Sequence, residues 1–305
     1  MAAPRFSTPS QTIDLKSRFD EQGYVIVPDL ISPIHLQPLK DACDRVIAKT
    51  RSGEWTHRRI VGKQFPPFID MEGEPDSWGV QHLMHPDLAE PVFAEWYGSE
   101  GVKNVCQQLM GCKEEDLQLE LFNLLINPAR HKFALRWHRD DVLPTASEEE
   151  EQSQLATPAY GVQWNTALYP DSCLYIVPQT HNQPRTEAQR IQSSTFQPPV
   201  DPLDMPGVIQ VNLLPGETVF YDNNILHCAS YDPSQICATL HACMGDARGG
   251  GKRARNILQH DLRWMRKDTF LDSLPKEGPT RAMRRKLVDM ASTVDGKEVG
   301  YSQID

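Results

Sequence analysis

Residues 117–127 read LQLELFNLLIN, and the chain changes character there. Leu117, Leu119 and Leu121 alternate with Gln118, Glu120 and Phe122, and the run continues as an apolar LLI between Asn123 and Asn127. Alternation with a period of two, followed by an unbroken apolar stretch, is the pattern of a strand. Short strands of the same kind recur downstream at Phe133–His138, Gly161–Leu168, Cys173–Val177, Val208–Leu213, Glu217–Tyr221 and Ala238–Met244. Pro215-Gly216 marks a turn, and Pro170-Asp171 is expected to join the strands on either side of it as a pair.

Upstream the pattern is mainly helical. Tyr24–Leu30 reads as a short buried strand, and Ser32-Pro33 then opens a helix with an apolar stripe of Ile34, Leu39, Cys43, Val46 and Ile47. A second helix follows Ser99, carries Val102, Val105, Cys106, Leu109 and Met110, and stops at Gly111. The stretch from Arg253 to Met290 also reads as helical. Helices followed by many short strands predict an α+β fold with a double-stranded β-helix (jelly-roll) core. The expected organisation is one domain over 1–305: a helical region at 1–114, a core at about 115–250, and a helical tail at 251–305. The terminal helices are expected on one sheet.

Two long segments interrupt the strands, Asp141–Tyr160 and Asn182–Pro206, and they are expected to border a substrate entrance. The acidic run Glu148–Glu151 reads as a solvated face. The net charge of −10 and the short basic cluster Lys252, Arg253 and Arg255 argue against a nucleic-acid partner. Met1–Leu15 has no apolar signal core, and no apolar run approaches a membrane span. With seven cysteines, an odd number, the expectation is free thiols in a reducing cytoplasm. Whether the chain forms a homodimer or a heterodimer stays open.

The candidate chemistry lies in LRWHRDD, residues 135–141. His138 and Asp140 stand two apart, so on an extended segment their side chains share a side. His227 follows an apolar strand and an Asp-Asn turn, which would deliver a second imidazole. Two histidines and one carboxylate on one face of a metal leave positions open opposite, an arrangement suited to non-haem Fe(II). A zinc site from Cys237, His241 and Cys243, with Cys228 nearby, is a weaker alternative, because it lacks the close Cys pairs that zinc sites favour. Trp137 and Tyr221 read as core or pocket wall, His241 as packed on the sheet and His181 as exposed.

LRWHRDD, the Gly161–Leu168 strand, PQTH (178–181), PGETVF (215–220), NNILHCASYD (223–232) and ATLHACMGD (238–246) occur in one order. Over roughly residues 20–265 they resemble the phytanoyl-CoA dioxygenase family of Fe(II)/2-oxoglutarate oxygenases, most nearly its fungal members that tailor secondary metabolites. The resemblance implies a jelly roll, with His138, Asp140 and His227 as ligands of Fe(II). It also implies 2-oxoglutarate as co-substrate, O2, and hydroxylation, desaturation or related C–H oxidation of a small molecule. One departure stands out. The family places an arginine about ten residues after the distal histidine, to pair with the far carboxylate of 2-oxoglutarate, and Cys237 stands there. A thiol makes no charge-assisted bidentate pair. Lys63 resembles a family lysine that reaches the co-substrate, Arg136 shares parity with the ligands, Thr166 offers a hydroxyl, and Arg248, Arg253 and Arg255 are further cations. The departure keeps one other reading in play, an iron oxygenase that does not use 2-oxoglutarate; a further alternative is a non-catalytic or partner-dependent homologue, against which the complete triad argues.

Overall fold

The computed structural model describes residues 14–69 and 76–303; the N-terminal tail and the last two residues of the sequence reading lie outside them. The strands are β1 (Tyr24–Val27), β2 (Arg58–Ile60), β3 (Ser77–Val80), β4 (Leu117–Ile126), β5 (Phe133–Ala134), β6 (Gly161–Ala167), β7 (Leu174–Val177), β8 (Ile209–Gln210), β9 (Thr218–Tyr221), β10 (Leu226–Tyr231) and β11 (Ala238–Asp246). They form two antiparallel sheets, one of seven strands in the order β1-β9-β6-β11-β4-β3-β2 and one of four in the order β5-β10-β7-β8. Two facing sheets with strands handed from one to the other make the expected jelly roll.

The helices are α1 (Leu15–Gln22), α2 (Pro33–Arg51), α3 (Pro91–Tyr97), α4 (Glu100–Met110), α5 (Glu148–Leu155), α6 (Glu187–Ser193), α7 (Ala254–Leu258), α8 (Asp268–Ser273) and α9 (Thr280–Ser292). From the two ends of the chain, α2 meets β3, α4 meets β6 and α9 meets β4, all in the seven-stranded sheet. The main core lies between these helices and that sheet, around Phe93, Tyr97, Phe122, Trp164 and Phe220. Pro33 opens α2 as expected, although the Ser32 hydroxyl pairs with His35 Nδ1 rather than capping a backbone N–H.

The break in alternation inside β4 has a structural cause. Against β11, Phe122 pairs with Ala242 and Leu119 pairs with Met244, so Glu120 and Leu121 together oppose Cys243. This β-bulge puts Leu117, Leu119, Phe122, Leu124 and Ile126 into the helix-facing core. Tyr97 spans the gap that the bulge leaves: its hydroxyl donates to the Cys243 carbonyl at 2.7 Å and accepts from the Glu120 N–H at 3.1 Å. Gly161 and Gly245 face each other across β6 and β11. A Cβ on Gly245 would lie 2.1 Å from Glu120 Oε1, and one on Gly161 would lie 2.7 Å from the Arg253 guanidinium carbon. The two glycines leave room for a buried ion pair, in which Arg253 donates to Glu120 at 3.0 and 2.6 Å.

Two expectations change. β6 and β7 are not a hairpin pair: β6 belongs to the large sheet and β7 to the small one. The Pro170-Asp171 segment is a corner between sheets, pinned by reciprocal bonds between the backbones of Asp171 and Leu213 at 3.0 and 2.9 Å. The acidic run is not wholly a solvated face either. Glu148, Glu149 and Glu150 are exposed, but Glu151 is fully buried. It forms an ion pair with Arg139 Nε at 2.8 Å, accepts from Arg185 Nε at 3.0 Å, and also contacts Arg190. Each long segment carries a helix, α5 or α6, and Glu151 joins the two.

Candidate metal centre

His138 and His227 sit opposite each other in an antiparallel bridge, with reciprocal backbone bonds of 2.9 and 3.0 Å. Cross-strand partners present their side chains on one face, and the ring centroids are 4.1 Å apart. Each ring is oriented by its own chain. His138 Nδ1 is 2.9 Å from the Arg136 carbonyl, and His227 Nδ1 is 2.8 Å from the Ile225 carbonyl. A carbonyl only accepts, so in each bond Nδ1 carries the proton, and the neutral ring is left with a bare Nε2.

Both Nε2 atoms approach Asp140 Oδ1, at 3.8 Å from His138 and 3.9 Å from His227. Asp140 is held from behind. Its N–H donates to the Asn223 carbonyl at 2.9 Å, and its Oδ2 accepts from Gln163 at 2.7 Å and from the Asn223 side chain at 3.2 Å. One ligand atom from each of the three residues falls within 4.8 Å of the others. Burial holds the His138 imidazole well below its usual range and brings His227 down to about 4, so both rings are neutral at pH 7. Burial, with the nearby charge of Asp141, pushes the Asp140 carboxyl up to about 7. Taking a carboxylate out of water favours its proton, and a cation placed among these atoms would reverse that.

A cavity of about 110 Å3 opens on the triad. Phe65, Phe68, Trp78, Leu125 and Leu135 give it apolar walls, and Arg59, Gln163, Asn165 and His241 add polar groups. Phe65 meets the His138 ring edge-on at 4.8 Å, and Tyr221 meets His227 at 5.4 Å. The rim is contributed by Gln64–Phe68 and by Gln259, His260, Ser302 and Gln303 near the C-terminus. Neither long segment supplies a lining residue among those described, but the second reaches the rim, where Gln64 Nε2 donates to the Phe196 carbonyl at 3.2 Å.

Of the other cation and hydroxyl candidates, only Arg253 is among the described residues that line the cavity. Thr166 points to the opposite face of β6 from Gln163 and Asn165, and its hydroxyl pairs with that of Thr218 at 2.7 Å. The Arg136 guanidinium lies over the Phe65 ring at 4.2 Å and donates to Gln303 at 2.7 Å, so it braces the rim from behind. Lys63 is half-buried outside the lining, and its carbonyl accepts from Trp78 Nε1 at 3.1 Å. Arg253 is committed to Glu120, and Arg248 to Asp246. Arg255 approaches Asp141 at 4.0 Å.

Cys237 packs away from the cavity, where its thiol donates to Asp171 Oδ2 at 3.0 Å. Thr239 donates to the same oxygen at 3.1 Å. A hydrogen bond with Cys173 and burial push the Cys237 thiol well up, which disfavours the thiolate a metal needs. His241 bonds to Asn165 at 2.8 Å. The zinc alternative is therefore not assembled: among the described residues Cys237 gathers with Asp171 and Cys173, not with His241 and Cys243.

Residues 19–235 match the phytanoyl-CoA dioxygenase (PhyH) family. The chain belongs to that family. Its members are iron(II)/2-oxoglutarate-dependent oxygenases, and the chain is an enzyme of this class. Several solved structures share the fold. AviO1 from Streptomyces viridochromogenes Tue57 is 17% identical with a TM-score of 0.56, over 79% of this chain and 97% of that one. EctD from S. alaskensis in its apoform is 15% identical with a TM-score of 0.55, over 82% and 81%. SnoN, a non-heme α-ketoglutarate-dependent epimerase from nogalamycin biosynthesis, is 18% identical with a TM-score of 0.51, over 76% and 82%. No curated protein matches the sequence. Among the described residues no helix is long and apolar enough to cross a membrane.

Proposed function

We propose that His138, Asp140 and His227 hold one iron(II), and that this member of the family oxidises a C–H bond of a small organic molecule, a secondary metabolite, with 2-oxoglutarate as co-substrate. One observation carries the reading: both imidazoles are locked as Nδ1–H tautomers, with bare Nε2 atoms converging on one oxygen of a carboxylate whose other oxygen is occupied. The donor set fits a borderline divalent metal that keeps open positions. Bound iron, with 2-oxoglutarate and O2, supplies the oxidising power for hydroxylation, desaturation or a related step. The chain's own part is orientation and exclusion of water. Asn223 and Gln163 keep Asp140 Oδ1 turned inward, Asp140 gives up its proton when it ligates, and Phe65, Phe68 and Trp78 keep the cavity dry. The SnoN epimerase has been crystallised in complex with Fe3+, α-ketoglutarate and nogalamycin RO, which supports the same reading here.

Iron content after anaerobic reconstitution and dialysis is the test. The wild type should retain about one iron per chain, and His227→Ala none. Full occupancy in His227→Ala would sink the assignment. A second reading, iron chemistry without 2-oxoglutarate, is favoured by Cys237 lying outside the cavity. Substrate oxidation with no succinate formed would establish it.

A further inference from the structure

Arg59 lies on β2 and lines the same cavity as the triad. It is buried, with 7% of its surface exposed. Its guanidinium sits 5.1 Å from the centre of the Phe68 ring and 5.0 Å from that of Trp78. Trp78 is itself fixed, its Nε1–H donating to the Ile60 carbonyl at 2.9 Å. The stem has a prepared path: Arg59 pairs with Gly79 across β2 and β3, and a Cβ there would lie 3.0 Å from Arg59 Cδ. Yet Nε has no hydrogen-bond partner, and among the described residues no carboxylate forms an ion pair with this guanidinium. The other lining guanidinium, Arg253, is fully engaged by Glu120.

A buried cation without a carboxylate ion-pair partner is costly, and burial lowers the affinity of Arg59 for its proton, with Tyr231, Tyr221 and Asp140 acting in the opposite direction. The cost is offset if an anion enters. On the side where the family keeps its carboxylate-binding arginine, this chain has the Cys237 thiol and the buried carboxyl of Asp171. Among the described residues neither of these two lines the cavity, so that position gives it no cation.

We propose that Arg59 has taken over the binding of the distal carboxylate of 2-oxoglutarate, from the β2 side of the cavity. This rests on the function proposed above. The guanidinium, pre-oriented between two aromatic faces, offers a fork of donors that a carboxylate can accept bidentately. A substrate carboxylate has the same chemistry, so the test must separate the two sources.

The experiment is anaerobic titration of the iron(II) protein, without substrate, with either 2-oxoglutarate or 2-oxopentanoate. The second has the same keto-acid end and chain length but lacks the distal carboxylate. The readout is the visible charge-transfer band, which needs no turnover. The wild type should prefer 2-oxoglutarate. Arg59→Gln should bind it about 10- to 100-fold more weakly, equivalent to about 1.4–2.8 kcal/mol, and bind 2-oxopentanoate as the wild type does. Arg59→Lys keeps the charge but not the fork, and should show a smaller loss confined to 2-oxoglutarate; it decides the matter should the glutamine variant not fold. Unchanged 2-oxoglutarate affinity in these variants would overturn the proposal and leave a substrate carboxylate as the candidate anion. An equal loss for both keto acids would overturn it too, by making Arg59 a packing residue. Absence of any band in the iron-loaded wild type would strike at the 2-oxoglutarate reading itself.

Discussion

Replacing Glu151 by Gln tests whether the two long segments are held by charge. Glu151 is fully buried and meets Arg139 at 2.8 Å, Arg185 at 3.0 Å and Arg190. Glutamine keeps the shape and removes the charge, so three guanidiniums lose their common counter-ion. Breaking a buried pair from one side costs about 3–5 kcal/mol. At roughly 2 °C per kcal/mol for a chain of this size, Tm should fall by about 6–10 °C. The effect should reach the metal centre, because Arg139 stands between two proposed ligands and donates to the Asn224 carbonyl, next to the Asn223 that holds Asp140. Glu151→Gln should therefore also lose iron faster on dialysis. The assays are thermal and urea unfolding of the metal-free protein and iron retention, with Glu148→Gln as the exposed control that should change neither. A Glu151→Gln midpoint indistinguishable from the control would refute the reasoning and return the acidic run to a solvated face.

Other perturbations follow from the same structure. Gly245→Ala places a methyl 2.1 Å from Glu120 Oε1, must force that carboxylate off Arg253, and should cost on the order of 3–5 kcal/mol in urea unfolding. Thr166→Val strips the buried Thr218 hydroxyl of its partner and should cost about 1–3 kcal/mol; 2-oxoglutarate affinity should stay unchanged, since Thr166 faces away from the cavity. His82 is buried, and burial holds it well below its usual range, with His57, His260, His85 and Arg59 adding to the effect. The unfolded chain therefore binds the extra proton, and this contribution is complete above about pH 6.5 and is lost as pH falls below it, by up to about 1.4 kcal/mol per pH unit. His82→Asn suits the positive φ of 64° at this position and should flatten the slope of stability between pH 6.5 and 5, as read from urea midpoints.

The convergence of His138, Asp140 and His227, the proposed metal ligands, was legible in the sequence because what positions them is local. His138 and Asp140 share a side through their spacing, and each histidine takes its orientation from a carbonyl two residues earlier in its own chain. The fold class was legible for a similar reason: β4 and its successors announce themselves by alternation, and even the break at Phe122 marks a real bulge. What stayed hidden depends on which elements meet. The corner at Asp171 looks like a hairpin turn until Leu213 is seen beside it. Glu151 looks solvated because the arginines that bury it lie on other segments. Thr166 and Gln163 both sit on one readable strand, but only the sheet's packing says which face meets the cavity.

The co-substrate cation shows the same limit more sharply. Cys237 could be seen as a departure from the family pattern, and the candidates to replace its arginine were then Lys63, Arg136 and the cations beyond residue 247. Arg59 was not among them, because β2 is three residues long and carries no periodicity to say which way it points. Its role becomes visible only where β2 pairs with β3, where Gly79 opens space for its stem and Trp78 and Phe68 flank its charge. A departure at one position of a family pattern is thus a question about the whole cavity wall. Charge lost at Cys237 is most economically restored by a cation that is already buried, already fixed and not yet paired, and Arg59 meets all three conditions.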